Sequence, residues 1–391
     1  GVLAASNAQA VTVSALSLGP KGVLAVTLDP SAASSLRFDV TGAADLAAGA
    51  KVDVALTSLV RGPRAFQILQ AGSLSVDAAG AEVAGAPFLY TASLRADPAA
   101  GALFVDLRAK TATELGLNRS GGQAYTAIFD SLDRDPQIEA AFVARTDQAG
   151  FQSLYDQMLP DHSGGVLMSA AAASPAVSEA VAAPLRIGAD AGTGVWAQEI
   201  AFNLRRDRVD ALGFTSRGFG FAAGADLQGQ DMALGANLSF VSADVRDRGA
   251  AAGEEVTFNV LGGGLYWRLD QGPLQASARG GVGYAFLKGD RRLIAADLDR
   301  RARADWGAWL VDGAASVSYE ARLGSLYARP ELSANYIRLS EGGHREHGGG
   351  DGFDLKVDKR TGDLLTGQAL LTLGWRFGDE VYLAPEVKAG Y

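Results

Sequence analysis

From Gly194 onward the sequence keeps a period of two that most folds cannot accommodate. Trp196, Ile200, Phe202 and Leu204 alternate with Ala197, Glu199, Ala201 and Asn203, and Tyr284 and Phe286 with Gly281 and Gly283. Trp309, Val311, Val317 and Tyr319 alternate with Asp312, Ser316 and Ser318, and the apolar face from Leu365 to Phe377 is clean for more than ten residues. Successive side chains of a strand point to opposite faces, so each segment has one apolar face and one small or polar face. Strands of a soluble sandwich are typically ~5–6 residues long. A tilted bilayer crossing needs ~9–11. The phase predicts that Trp196, Phe202, Leu274, Tyr284, Trp309, Tyr319, Leu371 and Trp375 face outward. It predicts that Glu199, Arg279, Asp312, Arg329, Glu331, Arg376, Glu386 and Lys388 face a lumen.

Nine strands follow from this pattern, near 194–205, 213–227, 231–245, 256–269, 273–288, 304–320, 325–339, 362–377 and 381–391. The links LQGQD, LDQGP, ARLGS and FGDE are tight, whereas RDRGAAAGEE, the Arg-rich 289–303 and the Gly/His-rich 340–361 are long. Short turns on one rim and long loops on the other describe an outer-membrane barrel. Nine antiparallel strands cannot close, because the first and last run the same way, and bacterial barrels have even counts. The chain is therefore expected to stop before its barrel is complete, and its start at Gly1, without a basic leader and apolar core, to be that of a mature protein or a piece of a longer one. PELSANY at 330–336 and PEVKAGY at 385–391 share Pro, Glu, Ala and Tyr at the same offsets, which predicts local kinks at equivalent heights.

Upstream of the alternation lie two further zones, giving an expected division into 1–112, 113–190 and 191–391. Residues 1–112 read as short strands broken by Gly, Asp and Ala turns, such as GVLAVTLDP and KVDVALTSLV, in which each pair makes one rung or hairpin. Between 113 and 190 the spacing becomes three and four, as in Ala124, Ile128, Phe129 and Leu132. Several short helices are expected there, with Asp147 and Ser163 as N-caps, and then a longer Ala-rich one from about 164 that Pro175 should kink or divide.

Composition excludes much else. With no Cys, the chain has no disulfide, thiol nucleophile or Cys-ligated metal. A net charge of −9 gives no general basic surface for nucleic acid. His344 and His347 sit in a Gly-rich loop that lacks a rigid element to fix metal geometry. Asp161, His162 and Ser163 are adjacent and cannot aim at one another as a triad. Gly218, Gly220 and Ala223 match a dinucleotide loop loosely, but no helix follows them. No catalytic, cofactor or metal site is expected, and the chain is not read as an enzyme. Arg291, Arg292, Arg300, Arg301 and Arg303 are expected in a solvated outer loop, with contact to anionic lipopolysaccharide as the second reading.

The segment YDQMLPDHSGGVLMSAAAASPAVSEAV at 155–181 resembles the stretch that precedes the barrel in bacterial autotransporters, and GFAAGADLQGQDMALGANLSFVSADV at 220–245 resembles the early hairpin of their translocator domain. GAADLAAGAKVDVAL, APFLY and the run into ELGLNRS resemble the distal end of a passenger. The resemblance implies type V secretion by a mostly β chain. A transmembrane antiparallel β-barrel, with about nine of some twelve strands present, follows a helical linker and a β-helix-like passenger end. It implies residence in the bacterial outer membrane with 1–112 at the cell surface. It further implies insertion by the barrel-assembly machinery, contact with lipid and lipopolysaccharide, the chain's own passenger as partner, a monomer, and a helix left in the pore. Lumenal Gly218, Gly220, Gly281 and Gly283 are expected to leave that helix room. The alternative is a porin-like channel or a structural barrel without a secretion role.

Overall fold

Parallel, in-register strands open the chain, seen here in a computed structural model. The structure describes residues 1–5, 9–77, 81–160, 164–182, 186–190, 192–207, 213–248, 253–296, 298–375 and 386–390, with 186–190, 386 and 388–390 as backbone. Val2–Ala5, Val23–Leu28, Lys51–Leu56 and Glu82–Ala84 stack so that Val2, Val23, Lys51 and Glu82 are equivalent. A second ladder stacks Val11–Val13 and Leu16–Leu18 on Phe38–Leu46, and that strand on Arg64–Val76. Unequal spacing of equivalent residues explains why the sequence shows rungs without a strict repeat. Alternate side chains such as Leu24, Val26, Phe38, Val40, Val52 and Phe66 fill the coil. An antiparallel hairpin, Tyr90–Asp97 with Ala102–Ala109, ends the stack by pairing with Arg64–Val76. Its turn residue Gly101 has φ +66°, and a Cβ there would lie 2.1 Å from Ala71 O.

Three short helices follow: α1 (Arg119–Ser131), α2 (Pro136–Val143) and α3 (Gln148–Asp156). Each starts at a side-chain cap. Asn118 accepts from Gly121 N, Asp135 from Gln137 and Ile138 N, and Asp147 from Gly150 N. Pro136 at the first helical position costs no hydrogen bond there. Ile128, Phe142, Phe151 and Tyr155 join these helices to the end of the solenoid in one apolar cluster. A fourth helix, α4 (Gly165–Ala182), runs unbroken through Pro175, so the expected division does not occur. Asp161, His162 and Ser163, including the expected cap, lie outside the described residues.

Apart from a small hairpin of His344–Arg345 with Lys356–Val357, the wall is one antiparallel meander in which each strand pairs with its sequence neighbour: 186–190, Thr193–Arg206, Gly213–Gln228, Met232–Arg248, Glu254–Gln271, Leu274–Ala295, Leu298–Tyr319, Leu326–Glu341, Arg360–Trp375 and 386–390. The described wall strands fall on the nine expected, preceded by the short 186–190; residues 376–377, 381–385 and 391 of the last two expected strands lie outside the described residues. The Arg-rich 289–303 is a correction. It is not a loop but the tip of a hairpin of two 22-residue strands. The ladder between Leu298–Tyr319 and Leu326–Glu341 stops at Ser318↔Glu331 and resumes at Ala321↔Ala328. Pro330 lies opposite this gap, where its missing N–H cannot donate.

The alternation places Leu365, Leu265, Leu238 and Trp309 outward at 73%, 70%, 68% and 62% exposure, with Tyr284, Tyr319, Leu371 and Trp375 on the same face. Two outward expectations are overturned: Trp196 is buried and Phe202 packs against the lumenal cluster. Glu199, expected in the lumen, is exposed on the outward face, in register with Phe221. The reason is the indole N–H of Trp196, which finds a buried partner in Tyr266 Oη at 2.7 Å. That sets the phase of the whole strand.

Leu365→Arg, in the middle of the outward belt, should cost about 2–4 kcal/mol of stability in lipid if it lies near the bilayer midplane. Thr366→Arg, on the opposite face, should cost far less. Refolding equilibria in lipid vesicles measure both, and equal costs would refute this register.

Candidate functional site

The lumen is occupied by a helix. Its sequence, GVLMSAAAASPAVSEAVA, is built from small residues, so it can approach the wall closely on every side. It contacts all seven wall strands from Thr193–Arg206 to Leu326–Glu341. Val166, Ala170, Ala173, Val177, Ala180 and Val181 pack on Trp196, Ile200, Phe214, Val241 and Val245. Gly165 lies beside Phe214 and Val245, at the rim of the long loops, where a Cβ would come within 2.4 Å of Val245 Cγ1. Ala182 lies among the turn residues Gln228–Met232 at the other rim. Thr193 pairs with Leu227 at that same rim. The chain thus enters by the long-loop rim, crosses the lumen once as a helix, and starts its first full wall strand from the far side.

A charged cluster grips the middle of the helix. Arg279 and Asp312, both 8% exposed, form an ion pair across neighbouring strands. Ser174 Oγ donates to Asp312 Oδ2 at 2.5 Å, Arg279 Nη2 donates to Ser174 Oγ at 3.0 Å, and Arg279 Nε donates to Ser178 Oγ at 3.2 Å. Ser174 and Ser178 are one helical turn apart and present their hydroxyls on one face. One turn above, Ser169 Oγ lies 2.7 Å from Ser216 Oγ and from Gly165 O. A cavity of about 30 Å³ remains between Ala170, Ala173, Val177 and the wall at Gly262, Gly263 and Gly283.

Below the helix the lumen widens into a cavity of about 600 Å³ lined by Gln228, Asp231, Arg268, Asp270, Ser277 and Glu331. On its upper side, Asp226 accepts from Tyr266 Oη at 2.9 Å, Arg268 Nη2 at 2.8 Å and Gln228 Nε2 at 2.8 Å. Tyr266 in turn receives the Trp196 N–H. This network was not legible in the sequence, because its members come from three strands and share only their height.

Of the four glycines expected to leave the helix room, Gly283 lines the small void beside Ala170, Ala173 and Val177, whereas Gly218, Gly220 and Gly281 serve other neighbours. A Cβ on Gly218 would strike the Phe202 ring at 2.2 Å, and one on Gly224 the Trp196 ring at 2.6 Å. Gly235 lies under Tyr266 and Gly374 under Tyr327 in the same way. Each of these pairs is directly cross-strand, so glycine accommodates a wall aromatic rather than the helix. Gly220 is crowded by the neighbouring strand's backbone at Phe240 O, and Gly281 clears space for Asp312 and Arg279. Gly362 also admits the helix, lying opposite Leu167.

Of the other expected lumenal residues, Arg329 and Glu331 are half-buried, and Glu331 lines the lower cavity. Arg376 lies outside the described residues, as do the side chains of Glu386 and Lys388. The backbone register sets these last two opposite Gly374 and Thr372.

At the outer rim the arginines pair with carboxylates of the chain: Arg291 is buried, Arg300 half-buried, and Arg292, Arg301 and Arg303 stay exposed to solvent as expected, although on a hairpin and not a loop. Arg291 is 2% exposed and paired with Glu346, Arg292 pairs with Asp299, Arg300 with Asp135, and Arg301 and Arg303 with Asp290. His344 stacks on Trp306 at 4.1 Å, and Trp306 Nε1 donates to Glu341, which also receives Arg360. Burial pulls the His344 imidazole below its ordinary value. His347 bridges to Arg303. Burial raises the Asp135 carboxyl, but Arg300 and the amides of Gln137 and Ile138 outweigh it and hold it below the usual value.

Two outcomes follow. Arg279→Ala strands a buried carboxylate and should destabilise the helix-filled barrel by about 3–5 kcal/mol, whereas adding Asp312→Ala should recover part of the loss; thermal unfolding in detergent reads both. Because Asp135 is depressed, its contribution to docking α2 on the hairpin is present above its unfolded value of about 3.9 and lost as pH falls through the folded one. Protease protection of α2 at pH 3 against pH 7 tests this.

A sequence model of the autotransporter beta-domain matches residues 195–391, half of the chain. Among solved structures, the chain is similar to the translocator domain of the autotransporter NalP from Neisseria meningitidis, with 16% identity, TM-score 0.45, and coverage of 59% of this chain and 77% of that one. It is also similar to the beta domain of the Bordetella autotransporter BrkA, with 20% identity, TM-score 0.36, and coverage of 51% and 77%. No curated protein matches it. The outward apolar belt, the meander and the helix through its lumen are those of an outer-membrane translocator, and the chain belongs to the autotransporter family.

Proposed function

We propose that the three zones divide one task. Residues 191–391 form the wall in the bacterial outer membrane, 113–190 the linker with its pore helix, and 1–112 the end of a passenger held at the cell surface. The observation that carries this reading is the single pass of α4 from the long-loop rim to the tight-turn rim, ahead of the first full strand. A chain whose upstream part has travelled outward through its own barrel ends in this topology. A diffusive pore has no use for such a helix, which is why the porin-like alternative is set aside.

The role is transport rather than catalysis. The barrel-assembly machinery is the partner proposed for insertion, since the wall strands expose large apolar side chains that must pass from water to lipid. Lipid meets the belt of Leu238, Leu265, Trp309 and Leu365, and lipopolysaccharide the outward face above it. The chain works as a monomer, its passenger being its own upstream part.

Deletion of 165–182 from the full-length parent should raise ion conductance through the barrel in planar bilayers and impair display or stable anchoring of the upstream segment on cells. Unchanged conductance together with normal display would remove the helix from the mechanism.

A further inference from the structure

The outer ends of Leu274–Ala295 and Leu298–Tyr319 rise beyond the other strands and meet the helices that precede the pore. Leu293, Ala295, Leu298, Ala302 and Phe353 lie in the same apolar cluster as Ile138, Phe151 and Met158. Within this contact Arg291 is buried. Its Nε and Nη2 donate to Glu346 Oε1 at 3.0 Å and Oε2 at 2.6 Å, Nη2 also to Phe353 O at 2.6 Å, and Nη1 to Gln157 O at 2.8 Å. Four of the five guanidinium N–H groups are thereby used, and the group lies 3.8 Å from the Phe353 ring centre. Gln157 is the C-cap of α3, where a cation is favoured by the helix dipole. Its side chain binds the hairpin a second time, accepting from Ile294 N at 2.8 Å. Glu346 is held in turn by Leu355 N at 2.8 Å. Beneath this cluster, at the outer mouth, Pro160, Arg291, Trp306, His344, Glu346 and Arg360 surround a void of about 20 Å³.

We propose that Arg291, Glu346 and Gln157 form a latch that clamps the exported segment to the outer rim and seals the mouth above the pore helix. The proposal rests on the translocator reading. Its three parts come from the hairpin, from the 342–359 loop and from the last helix before the pore. Arg291 and Glu346 belong to the wall's outer rim, but Gln157 reaches them only after it has left the lumen. The latch therefore forms at the end of export and opposes return of the chain into the pore. Arg291 is a positioning residue in this scheme.

The test uses the full chain displayed in outer membranes, with added protease, following cleavage within 119–159. The variants are Arg291→Lys, Glu346→Gln and Gln157→Ala, and only molecules whose barrels keep their heat-modifiable gel migration are counted. Gln157→Ala lies outside the wall, so barrel folding does not depend on it. Cleavage tracks the opened population, and loss of a hydrogen bond to a charged group should speed it about tenfold or more for Arg291→Lys and Glu346→Gln. Gln157→Ala should speed it less, since its carbonyl remains. Cleavage at the unmodified rate in folded, displayed variants would overturn the latch and leave the translocator reading standing. Absence of display of the unmodified chain would fail that reading separately.

Discussion

Hydrocarbon offers no partner to a backbone N–H or C=O, so every such group in a membrane wall must be paired within the wall itself. The remaining features of this molecule follow from that constraint. Antiparallel pairing of sequence neighbours satisfies it with the shortest connections, and the ladders between Thr193 and Trp375 include an interruption opposite Pro330. A ladder of long strands forces strict alternation. Alternation in turn forces a lumen whose wall is polar or small, because the apolar residues are committed to lipid.

A lumen of this kind needs contents. The helix suits it because its residues are small enough to lie against the wall and carry hydroxyls at one-turn spacing that bind Arg279 and Asp312. The buried pair is expensive to desolvate on its own and is stabilised by the serines, which complete its hydrogen bonds. The same geometry fixes how far the helix is inserted, since sliding by one residue would turn Ser174 and Ser178 away from the pair. At its lower end, among the described residues, Ala182 borders a cavity of about 600 Å³ lined by polar wall residues.

The outer rim works by different physics. There, Arg291 and Arg300 are matched to carboxylates of a loop and a helix N-cap, and apolar residues of the hairpin complete the core of the upstream helices and solenoid. The outer hairpin and the upstream segment consequently share one hydrophobic cluster.

Period-two spacing alone placed nine of the wall strands, the tight-turn rim and the outward position of Tyr284, Trp309 and Leu371, because lipid on one side imposes a one-residue rule on each strand. The helical spacing of Ile128, Phe129 and Leu132 and the cap at Asp147 were equally local. What spacing could not determine was anything set by partners distant in the chain. Trp196 looks lipid-facing until Tyr266 is found beside it, and with it Glu199 turns outward. Gly218 looks like room for a helix until Phe202 is found across the ladder. The Arg-rich 289–303 looks like a solvated loop, because Asp135, Gln157 and Glu346, which neutralise or cap its arginines, are brought there only by the tertiary structure. Local periodicity encodes which solvent each face meets; the identity of the group opposite it is a property of the folded arrangement.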